Sequence, residues 1–196
     1  MSDDHEQVVV RRGKLAALRE RETAPFPNDF RPSHTPAQVV RQFEPADVDA
    51  LKSAEACAVA GRVVAVRDFG KAGFLKLQDD GGQLQVHARR DRLSPAEFDA
   101  YRALDVGDVV GVVGRPFRTR TGELTLEAAH PRLLAKALRP LPEKWHGLQD
   151  VETRYRQRYV DLVVNAERRR VFETRSRCIA FLRRFLEGRG FLEVET

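Results

Sequence analysis

The sequence predicts a mainly β chain with added helices: a five-stranded barrel preceded by a helical extension and followed by further helices. Three observations carry that prediction. Between Cys57 and Ala137, β-branched and polar residues alternate in short runs broken by glycine, the pattern of half-buried strands. Before Cys57 and after Asp150, apolar residues recur at helical spacing instead. Proline-marked stretches around Pro25–Pro36 and Leu138–Asp150 separate the two patterns. The expected organisation is a helical extension over 1–56, a barrel over 57–137, a linker and hinge helix over 138–165, and a helix with a strand over 166–196.

The elements follow in order. "EQVVVRRGKLAALRERE" places Val9, Leu15 and Leu18 on one face of an amphipathic helix from Glu6 to Arg21. "TAPFPNDFRPSHTP" is extended and stiffened by its prolines. Two short helices follow, Pro36–Phe43 and Pro45–Ser53, each entered through a first-turn proline. The first strand runs from Cys57, with Gly61 suited to a bend or bulge. A second starts at Phe74, and Gly81-Gly82 turns the chain into a third, Gln83–Ala88. Ser94 and Glu97 form a capping box for a short helix to Tyr101. "DVVGVVGRPFRTR" and "ELTLEAAHPRLLAKA" make the last strand pair around Thr121-Gly122. Three strands, a helix and two strands, with a long bent first strand, are the layout of an OB-fold. Beyond the linker, "VETRYRQRYVDLVVN" reads as a helix with Tyr155, Tyr159 and Leu162 on one side. A longer helix carries an apolar stripe of Val171, Cys178, Ile179, Leu182, Phe185 and Leu186, ends at Gly188 or Gly190, and leads into a strand, "GFLEVET".

Composition narrows the function classes. The 196 residues carry a net charge of +5, and 42% are hydrophobic, as in soluble globular chains. Positive charge admits a nucleic-acid partner without demanding one. No apolar run reaches the roughly 18 residues needed to cross a bilayer, and the N-terminus lacks the apolar stretch of a signal peptide. The expectation is therefore a cytoplasmic protein without a membrane partner. Cys57 and Cys178 belong to no CxxC pair and read as buried free thiols. No P-loop, GxSxG, HExxH or GxGxxG is present, and His5, His34, His87, His130 and His146 are scattered, with no cysteine–histidine cluster at metal-ligand spacing. No residue is therefore assigned as catalytic, cofactor-binding or metal-binding. Asp79-Asp80, directly before Gly81-Gly82, is turn chemistry rather than a cation site.

A binding surface is more legible. Strand alternation puts Phe74, Lys76 and Gln78 on one face of the second strand and Gln83, Gln85 and His87 on one face of the third. With Leu75, Leu77, Leu84 and Val86 inside, the outward face carries Phe74, Gln85 and His87, with Arg67 just before the turn. Aromatic rings beside hydrogen-bonding side chains suit unpaired bases. Burial of Phe74 in a core crevice is the competing reading.

The strings "GKAGFLKLQDDGGQLQV", "RTRTGELTLEA", "KALRPLPEKWHGLQDVETRYRQRYVDL" and "GFLEVET" resemble the class IIb, bacterial-type lysyl-tRNA synthetases, over nearly the whole chain but only the N-terminal part of that family. The resemblance implies that the barrel grips the tRNA-Lys anticodon stem-loop. Phe74 would stack on the central anticodon base and Gln85 would read its edge. Arg67 and Glu123 would complete the pocket, and His87, where relatives often carry an aromatic, would offer a further stacking surface. It also implies that Ala166–Thr196 begins motif 1, the helix and strand of the homodimer interface. Motifs 2 and 3, which bind ATP, Mg²⁺ and lysine, are not in this sequence, so the chain is expected to hold tRNA without charging it. Two alternatives are a free-standing module for single-stranded RNA or regulation, and the same region of an aspartyl or asparaginyl enzyme. "PFPNDF" and "RPLPEKWHGLQD" favour the lysyl type.

Overall fold

The computed structural model describes residues 2–21, 24–79, 81–142, 148 and 150–195, with side chains from residue 6 onward. Asp80, Trp145, His146, the side chain of His5 and the end of the expected terminal strand at Thr196 lie outside the described residues. The chain divides into two compact units, residues 1–140 and 141–196.

In the first unit β1 (Cys57–Asp68), β2 (Ala72–Gln78), β3 (Gln83–Arg89), β4 (Val109–Arg118) and β5 (Leu124–Ala135) close a barrel in the order β1-β2-β3-β5-β4. Every pair is antiparallel except β3 with β5. Alternation sends Val59, Val63, Leu75, Leu77, Leu84, Val86, Val110, Val112 and Leu126 inward, each at most 2% exposed. Each such side chain contributes about 1.5–3 kcal/mol relative to leaving it in water. The inward half of each strand therefore holds the barrel, and the outward half is available for other work.

The first strand bends through a register shift between Val63 and Ala65, not at Gly61 as the sequence suggests. Gly61 instead admits the close passage of β2: a Cβ there would lie 3.1 Å from the Gln78 carbonyl oxygen. Gly111 on β4 leaves room for the ring of Phe30, which would stand 2.9 Å from an added Cβ. The neighbouring Asp29 accepts two hydrogen bonds from Arg132, at 2.8 and 3.0 Å, so the "PFPNDF" segment is fastened to β5 beside that ring.

Helix α1 (Ser2–Glu20) lies on this unit differently from the expectation. Val9 is 56% exposed, whereas Arg11 is buried beside Leu15. The guanidinium of Arg11 donates to the carbonyl oxygens of Val106, Ala137 and Arg139, three acceptors that a periodicity argument does not anticipate. Lys14 donates to Asp105 at 2.7 Å. α2 (Pro36–Phe43) begins at its proline behind a Thr35–Gln38 capping box. α3 (Val48–Lys52) starts later than expected, because Asp47 rather than Pro45 supplies the cap by accepting from the Ala50 amide. α4 (Pro95–Arg102) has the expected Ser94–Glu97 capping box and buries Phe98 and Tyr101.

At the end of the barrel, Asp108 and Lys136 form a buried ion pair. The Lys136 ammonium lies 2.8 and 3.0 Å from the two oxygens of Asp108 and 2.6 Å from Asp105. Asp108 also accepts from the amides of Asp105 and Ala137, each at 2.8 Å, so its carboxylate is satisfied. Burial pushes the Asp105 carboxyl up, but hydrogen bonds and charge from Lys136 and Lys14 outweigh that and hold its pKa below the ordinary value.

In the second unit one helix was expected over Val151–Asn165, and two are found: α5 (Val151–Arg156) and α6 (Arg158–Val164). Gln157, at φ −114° and ψ 53°, breaks the run. Tyr155 and Tyr159 are 71% and 66% exposed, and the buried residue is Asp161. Its carboxylate gathers Arg154, Arg158 and Asn165 at 3.3, 2.9 and 2.7 Å, which sets the geometry of the broken helix. α7 (Ala166–Glu187) has the expected bounds, but its stripe is uncovered, so Cys178 is an exposed thiol while Cys57 is buried. Residues 191–195 form no strand. A strand needs a ladder partner for its amides and carbonyls, and none pairs with this segment among the described residues.

Replacing Asp108 with alanine leaves the Lys136 ammonium in a dry site with Asp105 alone. The expected loss is about 3–5 kcal/mol of unfolding free energy, read from urea denaturation followed by far-UV circular dichroism. A loss under about 1 kcal/mol would show that the pair is dispensable. Because the Asp105 pKa is lowered in the fold, its contribution is full above the unfolded carboxylate value and declines as pH falls through the folded one.

Candidate nucleic-acid interface

The outward-pointing residues of the barrel form two rows, set by strand register. One runs Arg67, Phe74, His87 and Glu127 across β1, β2, β3 and β5. The next runs Ala65, Lys76, Gln85, Thr125 and Phe117, the last on β4. Phe74 is therefore on the outer face and not in the core crevice that was its competing reading. It is half-buried because the His87 imidazole stacks on it, with centroids 4.4 Å apart and planes 16° from parallel. Phe117 flanks His87 at 5.8 Å, and Phe69, at the end of β1, meets Phe74 edge-on at 6.1 Å. The result is a line of aromatic rings along one side of the barrel.

Gln85 is held beside this line. Its amide donates to the Thr125 hydroxyl at 3.0 Å, and that hydroxyl donates to the Glu123 carbonyl oxygen at 3.1 Å. With one N–H so used, the second N–H and the amide oxygen can address a base edge. Glu123 is exposed just before β5, its carboxylate 3.6 Å from Lys76. That pair is half-exposed and solvent-screened, so the carboxylate can exchange Lys76 for another donor at little cost. Arg67 is exposed directly opposite Phe74. The fold thus brings Arg67, Phe74, Gln85, His87 and Glu123 to one side of the barrel.

The His87 environment favours a neutral ring. Burial lowers its pKa most strongly, with Glu127 acting in the opposite direction. Its Nδ1 is buried and has no hydrogen-bond partner. Elsewhere His34 shares a hydrogen bond with Ser33, and His130 sits 2.7 Å from Glu97, structural roles at the surface. A hydrogen bond from Ser94, then one from His130, pulls Glu97 down to about 2. Asp79 is occupied in the β2–β3 turn, accepting from the amides of Gly81 and Gly82. Among the described residues no three His, Cys, Asp or Glu are grouped to hold a metal ion, and no helix is long and apolar enough to cross a membrane.

The sequence reading missed Phe117 and Phe69 as members of this surface. Phe117 was not legible because only the β4–β5 register, Phe117 opposite Thr125, assigns it to the outer face. Lys76 was placed on the Phe74 face by strand alternation, but its pairing with Glu123 was not anticipated.

The barrel, residues 57–134, matches the family of OB-fold nucleic acid binding domains, and residues 150–196 match the class II tRNA synthetases of the D, K and N group. The lysine–tRNA ligase of Magnetococcus marinus is 48% identical over 99% of this chain, which spans 39% of that relative. Those of Dichelobacter nodosus and Pelotomaculum thermopropionicum are 47% and 46% identical, over 100% and 99% of this chain and 40% and 37% of their own lengths. From end to end, the chain is similar to lysine–tRNA ligases. It spans about two-fifths of the length of the curated relatives it matches.

Because burial disfavours its charged form, His87 is expected to titrate below the ordinary imidazole value of 6.5. Its contribution to stability is then full above that value and falls as the pH drops through the folded pKa. The imidazole proton shifts in an NMR titration read this directly. A His87 midpoint at or above 6.5 would contradict a desolvated, neutral ring.

Proposed function

We propose that this chain is the anticodon-gripping region of a lysine–tRNA ligase, and that the aromatic side of its barrel holds the anticodon loop of tRNA-Lys. The observation that carries this reading is the Phe74–His87 stack with Gln85 and Glu123 beside it, on the outer face of a barrel in a chain similar to lysine–tRNA ligases. Unpaired loop bases are held by stacking on rings and read through their Watson–Crick edges. Phe74 stacks on the central base, its ring already aligned by His87. Gln85, oriented by Thr125, pairs with that base's edge. Glu123 accepts from a base donor and repels a base that presents only acceptors, while Arg67 meets the adjacent backbone. Attachment of lysine, using ATP and Mg²⁺, belongs to the whole ligase, a cytoplasmic homodimer in which α7 opens the subunit interface.

A general single-strand binder is the second reading, supported by the same rings, since stacking alone does not choose between bases. The two differ in selectivity. With an anticodon stem-loop of lysine tRNA, Phe74→Ala is expected to weaken binding roughly 5- to 100-fold, the range for loss of one base stack. Gln85→Ala is expected to cost roughly 5-fold or more and to relax discrimination at the central base. Fluorescence anisotropy at moderate salt measures both. Equal affinity for an unrelated stem-loop would leave the general binder as the correct description.

A further inference from the structure

Resting on the anticodon reading, we propose that Phe69 is a second stacking surface, which takes a base flanking the one held at Phe74 while Lys71 and Arg90 hold the neighbouring phosphates. Phe69 is 66% exposed, so its ring contributes little to the core. It is nevertheless held in place. The Phe69 amide donates to the Ala72 carbonyl oxygen at 2.8 Å and the Lys71 amide to that of Phe69 at 3.0 Å. Gly70, at φ 79°, donates its amide to the Asp68 carboxylate at 2.8 Å. The turn fixes the backbone at Phe69, and the ring stands edge-on to Phe74, so it extends the line of outer rings instead of standing alone.

The orientation of the ring suggests the occupant. Phe69 and Phe74 are 6.1 Å apart and 83° from parallel, so they offer faces nearly at right angles. Two successive bases stacked on them are splayed apart rather than stacked on each other, the arrangement in which single-stranded loops are read. The surrounding charge is complementary to a nucleic-acid backbone. The Arg90 amide donates to the Lys71 carbonyl oxygen at 2.9 Å, which brings these two residues together beside the turn. Arg67, Lys71 and Arg90 are exposed and have no carboxylate partner among the described residues. The nearby carboxylates are already engaged, Asp68 with Arg102 at 3.3 Å and Asp91 with Arg89 at 2.6 Å.

The test measures affinity of the full 196-residue chain for the lysine-tRNA anticodon stem-loop, intact or made abasic at the central or at either flanking anticodon position. Phe69→Ala is expected to weaken the intact RNA roughly 5- to 100-fold, and Phe69→Leu, which keeps apolar bulk without a ring, to do nearly the same. Phe69→Trp should keep full affinity. The Phe69→Ala loss should vanish on RNA abasic at one flanking position and persist on RNA abasic at the centre. Thermal melting of the exposed-site variants should match the parent. Unchanged affinity in Phe69→Ala, or a loss that survives removal of either flanking base, overturns the proposal. If Phe74→Ala and removal of the central base are both without effect, the anticodon reading itself fails and takes this proposal with it.

Discussion

Lys136 emerges from the end of β5 into a dry site already occupied by Asp108, the residue before β4, and the barrel depends on that meeting. Around it the Val63 amide donates to the Asp108 carbonyl oxygen and the Gly107 amide to that of Val63, each at 2.8 Å. β1, β4 and β5 are thereby joined where the barrel closes. The same cluster receives α1, through Lys14 on Asp105 and Arg11 on three carbonyl oxygens. An ammonium and a carboxylate removed from water are costly unless each is fully satisfied, and here the backbone amides of Asp105 and Ala137 complete the carboxylate's shell. A dry site of this kind tolerates little displacement of its partners, so it fixes where the strands end and where the helix lies.

Strand alternation then divides stability from recognition. Leu75, Leu77, Leu84 and Val86 face inward and fill the barrel. Their neighbours Phe74, Lys76, Gln85 and His87 face out on the same two strands, two residues apart along each. Because the inner face is densely packed, the outer face can carry partly buried rings and an amide hydrogen-bonded to Thr125 without contributing to the core. The stack of His87 on Phe74 further limits ring rotation, so under the proposed reading less entropy is lost when Phe74 is ordered against a base.

Much of this was readable from residues alone where the signal is local. The first-turn proline of α2, the capping box at Ser94, the Gly81-Gly82 turn and the alternation of β2 and β3 depend on neighbours within a few positions. The same alternation placed Phe74, Gln85 and His87 on one face, and the quoted motifs pointed to the lysyl synthetases. The misreadings share a cause. Val9 and the tyrosines at 155 and 159 have helical spacing, yet Arg11 and Asp161 are buried instead, because distant carbonyls and converging guanidiniums satisfy them. The bulge fell after Val63 rather than at Gly61, since β2 needs that glycine's space.

Residue order by itself determined the five barrel strands, the cap at Ser94 and which side chains share a face on β2 and β3, because each follows from backbone geometry over a few residues. Tertiary structure alone decided that the rings of Phe69, Phe74, His87 and Phe117 form one line, that Thr125 orients Gln85, and that Lys136 finds Asp108. Those relations join residues brought together by strand register and barrel closure, and register is set by packing that no short window of sequence contains.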